Sequence, residues 1–417
     1  MRLSLAALAA LFAGPLLAAE LPRFKTQEID TGLKIGYAVV TADVDGDKKL
    51  DVVVVDQHQI VWYQNPGKPG PAWKKHVMLN GKTKPDNVCI APIDIDGDGL
   101  PEFVVGAAWK PFDTANAAQL VWLKRGRDVT QEWSMHELPC DEPTVHRVRC
   151  FDIDGDGRPE IVHVPLMGRG SSAKGLWTDG KPVRIVALKV PAADPEKTEN
   201  WKPQVLSEEL NVTHNFWPAL APAGAPPRVL VTAYEGVFSL KSDAGKWTAT
   251  KVGAGNQANP KGNRGASEIK QGHAGPVRSG PVIATIEPWH GNQVVTYTPP
   301  VNADAKVWDR HVIDEQLRWG HAVWFADLDG DGIDELIIGV RDDPNPKSGD
   351  TFKERRGVRV YRCADGKGAR WDRTILEDGG VAVEDLTAAD LDGDGKIDII
   401  AVGRATGNAR IYWNQGK

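Results

Sequence analysis

The stretch that decides the fold is Asp43-Val44-Asp45-Gly46-Asp47-Lys48-Lys49-Leu50-Asp51, which carries the pattern D-x-D-G-D-x-x-x-[DE]. The same pattern occurs five times in the chain, and the other copies occupy residues 94–102, 152–160, 327–335 and 390–398. Each copy follows one short apolar segment and precedes another, such as residues 52–55 or 336–338. A turn repeated between apolar segments predicts an architecture built from equivalent supersecondary units.

Two further segments complete each unit. A third apolar segment, often aromatic, is followed by a fourth that opens with a tryptophan, at Trp73, Trp133, Trp201, Trp247, Trp308 and Trp371. Residues 24–29 have the pattern of a fourth strand and supply the one that the seventh unit needs. The last unit ends at Trp413 after its third strand, so pairing this strand with residues 24–29 closes a ring without free edges. The sequence therefore predicts an all-β, seven-bladed β-propeller over residues 20–417. Blades four and five, about residues 211–253 and 267–313, lack the Asp loop.

Composition supports one large β unit. The chain of 417 residues contains 43 Gly and 29 Pro, and no long run with helical periodicity follows the N-terminal segment. With 25% charged residues and 15 Trp, it does not have the composition of a disordered protein. A net charge of −6 gives no reason to expect nucleic-acid binding, and no apolar stretch after residue 19 is long enough to span a bilayer.

Residues 1–19 have the features of a signal peptide. Arg2 precedes an apolar run, and Ala18 and Ala19 supply small residues at a cleavage site. We therefore expect a secreted or periplasmic protein.

The Asp loops are candidate cation sites. Carboxylates at positions one, three, five and nine present oxygen ligands to a hard cation, and glycine at position four allows the tight turn. The sequence predicts up to five structural Ca²⁺ ions at Asp43, Asp45, Asp47, Asp51, Asp94, Asp96, Asp98, Glu102, Asp152, Asp154, Asp156, Glu160, Asp327, Asp329, Asp331, Glu335, Asp390, Asp392, Asp394 and Asp398. Four loops have Gly at position six, where the first loop has Lys48, and we expect this difference to weaken the first site.

A second cluster is predicted on the face opposite the Asp loops. Six positions before the first Asp lie Tyr37, Val88, His146, His321 and Glu384, and aligning blades four and five by their strands adds His214 and His273. Four of the ten histidines thus share one position of the repeat, and we expect them to face a central cavity. Plugging the channel is the alternative role for such a ring.

Nearby segments on the same face carry further polar and aromatic residues. The candidate catalytic groups are Arg147, Arg341 and Arg404 together with Tyr37, Glu384 and the four histidines His146, His214, His273 and His321. The candidate substrate-binding residues are Trp109, Tyr234, Trp289, His290 and Asn215. The insertions at residues 168–182 and 341–356 also fall here. Functional residues commonly lie on loops held by a rigid scaffold.

Two kinds of chemistry fit this cluster. Three or four imidazoles with a carboxylate can bind Zn²⁺, Mn²⁺ or Fe²⁺. Without a metal, the same groups suit proton transfer, with a histidine as base and an arginine beside a developing oxyanion. Flat tryptophan faces together with Arg and Asn suit a sugar ring or another small polyol.

The Asp loops resemble the FG-GAP/VCBS repeats of integrin-type propellers, strongly in five blades. That resemblance implies a propeller whose loops bind calcium. It also implies a non-catalytic alternative, a module that adheres to a polysaccharide or a protein.

A second segment, Arg318-Trp-Gly-His-Ala-Val-Trp-Phe-Ala-Asp-Leu-Asp-Gly-Asp-Gly, is similar to the propeller domain of aldos-2-ulose dehydratase. This resemblance implies a lyase that eliminates water from a keto sugar, with the histidines in metal and base roles and the arginines as electrostatic stabilisers. That enzyme also carries cupin domains, which this sequence does not show, so an isomerase step is not implied. Whether the protein is an enzyme or a binding module stays open at this point.

Overall fold

The structure, a computed structural model, describes residues 20–219, 226–243, 245–275, 280–302, 304–341 and 356–417. The predicted signal peptide and residues 342–355 of the second insertion lie outside these residues. The described residues form 28 β-strands, with a single short 3₁₀ helix at Thr198–Asn200.

The strands form seven antiparallel sheets of four strands. The first three sheets contain, from the innermost strand outward, β2 (Ala38–Ala42), β3 (Asp51–Val55), β4 (Gln59–Gln64) and β5 (Lys74–Asn80); β6 (Cys89–Ile93), β7 (Glu102–Ala107), β8 (Gln119–Lys124) and β9 (Ser134–Glu137); and β10 (Val145–Phe151), β11 (Glu160–Pro165), β12 (Val183–Lys189) and β13 (Lys202–Leu210). The fourth and fifth contain β14 (Thr213–Pro218), β15 (Arg228–Ala233), β16 (Gly236–Asp243) and β17 (Lys246–Gly253); and β18 (Ile269–Gly272), β19 (Val282–Glu287), β20 (Gln293–Thr298) and β21 (Asp309–Asp314). The last two contain β22 (Gly320–Ala326), β23 (Glu335–Val340), β24 (Gly357–Cys363) and β25 (Trp371–Asp378); and β26 (Val383–Ala389), β27 (Asp398–Gly403), β28 (Ala409–Asn414) and β1 (Phe24–Asp30).

The sheets are arranged as the blades of a seven-bladed propeller, as the sequence predicts. The innermost strands contact one another in the order β2, β6, β10, β14, β18, β22 and β26, and β26 contacts β2 again. The outermost strands of the first six blades begin within one residue of the predicted tryptophans. The sheets of blades four and five are complete although they lack the Asp loop.

Apolar side chains fill the spaces between neighbouring blades. The second strand of blade one, Asp51–Val55, is buried at every residue because other blades cover both of its faces. Continuous apolar runs such as Val52-Val53-Val54-Val55 are typical of strands covered on both sides. The outermost strand of the last blade, by contrast, mixes exposed and half-buried residues.

Buried asparagines add polar links between blades. Asn65 Nδ2 donates to the Leu391 carbonyl of blade seven at 2.7 Å, and Asn414 Nδ2 donates to the Leu328 carbonyl of blade six at 2.7 Å. These bonds satisfy backbone carbonyls that the sheet ladders leave unpaired, and they hold the ring together near its closure.

The closure itself is confirmed. β1 pairs with β28 from Phe24↔Asn414 to Asp30↔Ala409. Across this pair Arg410 donates to Glu28 through both Nε, at 2.9 Å, and Nη2, at 2.6 Å. The last blade is thus completed by the first strand of the described chain.

We predict that a chain that begins at Gly32 melts more than about 10 °C below one that begins at Arg23, because it exposes the edge of β28 and removes Glu28, one of the two carboxylates that pair with Arg410. Calorimetry measures the melting temperature, and light scattering reports the aggregation expected of a free strand edge. Equal melting and a monodisperse shortened chain would contradict a stabilising role for the closure.

Candidate functional site

The beginnings of the innermost strands meet around the central axis, and four of them share a local irregularity. The ladder slips by one residue at His146, His214, His321 and Glu384, each of which is the extra residue of a β-bulge. A bulge redirects one side chain, and bulges are common beside functional sites. Tyr37 precedes β2 at the equivalent position. The structure therefore places these five residues in the ring that the sequence predicts.

The prediction for His273 is wrong. That residue follows β18, at the end of the strand nearest the Asp loops, where its backbone N–H donates to Asp334 at 2.7 Å and its side chain is 37% exposed. The ring position of blade five is held by Glu268 instead. The sequence alignment was out of register by five residues because blade five has no Asp loop to anchor it. The pattern Ser267-Glu268, which parallels Val383-Glu384, could have identified the correct residue.

His290 replaces His273 in the histidine cluster. Ring nitrogens of His214, His290 and His321 lie within 4.8 Å of one another, and the Nε2 atoms of His214 and His290 are 2.8 Å apart. His146 contacts His214 with 4.5 Å between ring centroids. His290, which the sequence suggested as a substrate-binding residue, follows β19 and thus joins the predicted catalytic histidines.

Hydrogen bonds fix the orientation of two of these rings, and a carboxylate contacts a third. His146 Nδ1 donates to the His214 carbonyl at 3.0 Å, and His321 Nδ1 donates to the Glu384 carbonyl at 2.5 Å. His214 Nδ1 lies 2.9 Å from Oε1 of Glu268, which can only accept. With their hydrogens on Nδ1, His146 and His321 carry the lone pair on Nε2. This is the tautomer that metal-binding histidines adopt when their second nitrogen is held by a carbonyl or carboxylate.

Burial keeps the imidazoles neutral. It lowers the pKa of His321 to about 3 and lowers the pKa of His146 and His290 well below the ordinary value. Burial also lowers the pKa of His214, although Glu268 opposes the shift. Neutral imidazole is the form that binds a metal or accepts a proton.

Glu384 joins two predicted arginines to the ring. Its carboxylate accepts from Arg341 Nη1 at 3.0 Å and from Arg404 Nη1 at 2.9 Å. Burial by itself would raise the pKa of Glu384, but its contacts with His321 and the two arginines outweigh burial and hold the pKa at about 2. The Arg404 guanidinium also lies 5.1 Å from the centre of the Tyr37 ring. Two cations therefore share one carboxylate beside the histidines.

Glu268 forms a second buried ionic group. It accepts from Arg147 Nη2 at 3.0 Å and from the side-chain amide of Asn215. Burial would raise the pKa of Glu268, yet Arg147 and His214 hold it well below the ordinary value. The sequence suggests a catalytic role for Arg147 and a substrate-binding role for Asn215. In the structure both side chains bond to Glu268, beside His214.

Aromatic side chains surround the histidine cluster. Trp109 lies 4.8 Å from His146 between ring centroids, Trp289 stacks on His290 at 4.4 Å, and Tyr234 meets Trp289 at 6.3 Å. Trp319, which the sequence analysis did not single out, contacts His290 at 5.2 Å. The three predicted aromatic residues are therefore at the site, with one more beside them.

The Asp loops form a separate set of candidate metal sites on the opposite face. In four loops, oxygens of the first, second and last carboxylates lie within 4.8 Å of one another, at Asp43, Asp45 and Asp51; Asp94, Asp96 and Glu102; Asp152, Asp154 and Glu160; and Asp327, Asp329 and Glu335. In all five loops, both oxygens of the first Asp accept backbone N–H groups. These bonds draw the loop around the carboxylates. Lys48 adopts φ 69° where the other loops have Gly.

The residue at position nine divides the loops into two kinds. Glu102, Glu160 and Glu335 each keep one buried oxygen, Oε1, without a hydrogen bond. Asp51 and Asp398 instead accept a backbone N–H with each oxygen. Burial, assisted by the neighbouring aspartates, raises the pKa of Glu102 to about 7 and that of Glu335 to about 8.

Lysines approach several of the loops: Lys49 and Lys396 contact the third Asp of their own loops, and Lys417 Nζ lies 3.3 Å from Asp329 Oδ2 in the fourth. Lys189 of β12 reaches into the third loop. Its Nζ lies 3.1 Å from Asp154 Oδ2 and 2.6 Å from Asp156 Oδ2. An ammonium there supplies part of the positive charge that the carboxylates need.

No helix within the described residues is long and apolar enough to cross a membrane.

Comparisons with known proteins support the fold and both resemblances. In shape, the chain is similar to the N-terminal domain of BBS1 solved in complex with ARL6, with a TM-score of 0.55, 14% identity, and coverage of 94% of this chain and 96% of that one for a crystal soaked with lead. A second crystal of the same complex, soaked with mercury, gives a TM-score of 0.54, 12% identity and the same coverage. At these identities the likeness concerns the fold alone.

Sequence comparisons point to two families. The family model described as the aldos-2-ulose dehydratase β-propeller domain matches residues 117–300, and the FG-GAP-like repeat model matches residues 43–105. The chain is 25% identical over 280 residues to aldos-2-ulose dehydratase of Phanerodontia chrysosporium, a match that covers 62% of this chain but only 29% of that protein. Both resemblances predicted from the sequence are therefore confirmed: the chain is similar to FG-GAP-like repeats near its start and to the dehydratase propeller across its middle.

Proposed function

We propose that this propeller acts on a carbohydrate, as a lyase that removes water from a keto sugar at the histidine cluster. The observation that carries the proposal is the convergence of three imidazoles, His214, His290 and His321, beside the paired cations Arg341 and Arg404. Sequence similarity to a protein named as a dehydratase of a keto sugar supports the substrate class. The surrounding tryptophans offer flat apolar surfaces of the kind that contact sugar rings.

We propose that His214, His290 and His321 hold one transition-metal ion such as Zn²⁺ or Mn²⁺. Their nitrogens are close enough, their rings are neutral, and Glu268 and the Glu384 carbonyl hold the Nδ1 atoms of His214 and His321. Three histidines with an open position are typical of catalytic zinc sites. Such an ion, when bound, polarises a carbonyl or hydroxyl oxygen of the substrate.

The chain's own residues supply the rest of the reaction. His146 lies beside the three-histidine group, and its Nδ1 is held by the His214 carbonyl, so Nε2 is the atom that accepts the proton from the carbon next to the keto group. Arg341 and Arg404 stabilise the negative charge that develops on the keto oxygen. The hydroxyl on the following carbon then leaves as water, taking up the proton that His146 accepted, and the product is an enone.

We also propose that the Asp loops bind structural calcium. The buried oxygens of Glu102 and Glu335 that lack a hydrogen bond support this, because an ionised oxygen buried without a partner is costly. A cation that binds only the folded chain stabilises it by mass action. Glu102 and Glu335 each keep a carboxylate oxygen without a hydrogen bond, whereas Asp51 and Asp398 do not. This difference supports stronger calcium binding at the loops that end in Glu102 and Glu335.

We also propose that the protein is exported. The pattern of residues 1–19 supports a secretory leader.

The first prediction concerns metal content. After loading with zinc and desalting, we expect about one zinc ion per chain by mass spectrometry, beyond any calcium. His290→Ala and His321→Ala should lose it, because each removes one of three ligands. His273→Ala is the matched control and should retain it, since that imidazole lies at the other end of its strand. Equal zinc in all variants, or none in the wild type, would refute the metal site.

The second prediction concerns turnover. Zinc- or manganese-loaded protein mixed with an aldos-2-ulose should produce a rising enone absorbance. His146→Gln should lower the rate by about 10²- to 10⁴-fold through loss of the base, and Arg404→Met should lower it by about 10²-fold through loss of charge stabilisation. His273→Ala should leave it unchanged. Saturable binding of the sugar with no enone formed would overturn the lyase and favour a binding module.

The third prediction concerns calcium. Chelation should lower the melting temperature by at least about 5 °C, and calcium should restore it. Glu335→Gln should remove about one calcium ion per chain. Asp128→Asn, which changes an exposed carboxylate in another turn on the same face, should remove none. A melting temperature insensitive to chelation would argue against structural calcium.

A further inference from the structure

A second cavity occupies the central channel between the histidine cluster and the face that carries the Asp loops. Its volume is about 300 Å³, and it is lined by the later residues of the innermost strands, including Arg149, Trp217, Lys270, Trp324 and Asp385. Arg147 also lines it, with its guanidinium bonded to Glu268. The Arg147–Glu268 pair therefore lies between this cavity and the histidines.

Lys270 is the unusual group in this cavity. It is only 6% exposed, and it makes no hydrogen bond or ion pair with any described residue. Its Nζ lies 3.7 Å from the centre of the Trp217 ring and 4.9 Å from that of Trp324, and the two indoles meet edge to face at 5.4 Å. Two aromatic faces hold a cation by their quadrupoles, but they do not satisfy the hydrogen-bonding capacity of an ammonium.

Arg149 is the second cation there. Its Nε donates to the Phe216 carbonyl at 3.0 Å, and its Nη2 donates to Asn215 Oδ1 at 3.1 Å. The guanidinium also lies 4.5 Å from the Trp217 ring, so Trp217 contacts both Arg149 and Lys270. No carboxylate in the described chain bonds to Arg149. Its Nη1 atom makes no hydrogen bond to a described residue, and Arg149 is one of the residues that line the cavity.

Charges in this part of the channel do not balance. Arg147 is neutralised by Glu268, which leaves Arg149 and Lys270 opposite a single lining carboxylate, Asp385. One oxygen of Asp385 already accepts the Val39 N–H at 3.1 Å. An excess cation in a buried place is costly unless a partner compensates it. Burial and the charge of Arg149 accordingly lower the pKa of Lys270 well below its usual value.

We propose that this cavity is a second binding site, separate from the histidine cluster, for a small oxyanion such as the carboxylate of a sugar acid. The anion contacts the Lys270 ammonium and the free edge of the Arg149 guanidinium, and its remaining atoms lie between Thr41 and Thr387. A volume near 300 Å³ is at the lower end of the range for small-molecule sites. The site does not depend on the lyase proposed above, because none of the groups that define it takes part in that reaction.

The test uses the mature protein in calcium, titrated by calorimetry with gluconate, sulfate, phosphate and neutral glucose at constant ionic strength. We expect saturable binding of at least one of the anions, a rise in melting temperature with that anion, and no binding of glucose at this site. Gluconate bound more tightly than sulfate or phosphate would identify an organic acid as the ligand. The reverse order would identify an inorganic oxyanion, and either order supports the site.

Lys270→Met is the decisive variant. It should fold, because it removes an unpaired buried cation and keeps the length of the side chain, and it should weaken anion binding at least about tenfold. Lys270→Gln is a second variant if the first is poorly soluble, with the same expected loss. Lys251→Met is the matched control, since Lys251 lies 5.5 Å from the ring of Phe238 on an exposed outer strand. No saturable anion binding by the wild type, or equal binding by Lys270→Met, would overturn the proposal.

Discussion

The contact between Glu268 and Arg147, buried at the centre of the ring, is the interaction on which the rest of the channel depends. Glu268 comes from blade five, Arg147 from blade three, and the carboxylate also reaches His214 and Asn215 of blade four. Removing one partner of such a pair leaves a buried charge uncompensated, which costs about 3–5 kcal/mol. This one carboxylate therefore joins three blades, contacts an imidazole and lies between the histidine cluster and the cavity lined by Lys270.

The two sides of the Arg147–Glu268 pair differ in their electrostatic character. On the histidine side, burial makes the imidazoles neutral, and the charge belongs to Glu384 and the two arginines that share it. On the other side, no imidazole is present among the lining residues, and the cations Arg149 and Lys270 exceed the single carboxylate. Neutral nitrogen ligands favour a transition metal, whereas excess buried cations favour an anion. The two proposed sites therefore differ in chemistry along one axis.

The Asp loops show that equal motifs need not make equal sites. All five place their first Asp as an acceptor for two backbone N–H groups, so the turn itself is satisfied by the chain. What differs is the residue at position nine, where the longer Glu side chain leaves an oxygen free and Asp does not. Lys189 changes the third loop further. These contacts come from side-chain length and from a neighbouring strand, which the motif does not contain.

The sequence alone determined the number of blades, the closure by residues 24–29, the opposition of the two faces and most of the ring. It could do so because each depends on a local pattern that recurs with the repeat, and a recurring turn sets the register of the strand beside it. Blade five has no such turn, so the sequence does not fix the register of its innermost strand. The sequence therefore places His273 at the ring position that Glu268 occupies in the structure.

Only the tertiary structure decided which side chains meet across blades. It brought His290 to His214, paired Glu268 with Arg147, and placed Lys270 between two tryptophans. These residues come from different blades, and their contacts depend on how the ring closes around the axis. Spacing along the chain carries no information about such contacts.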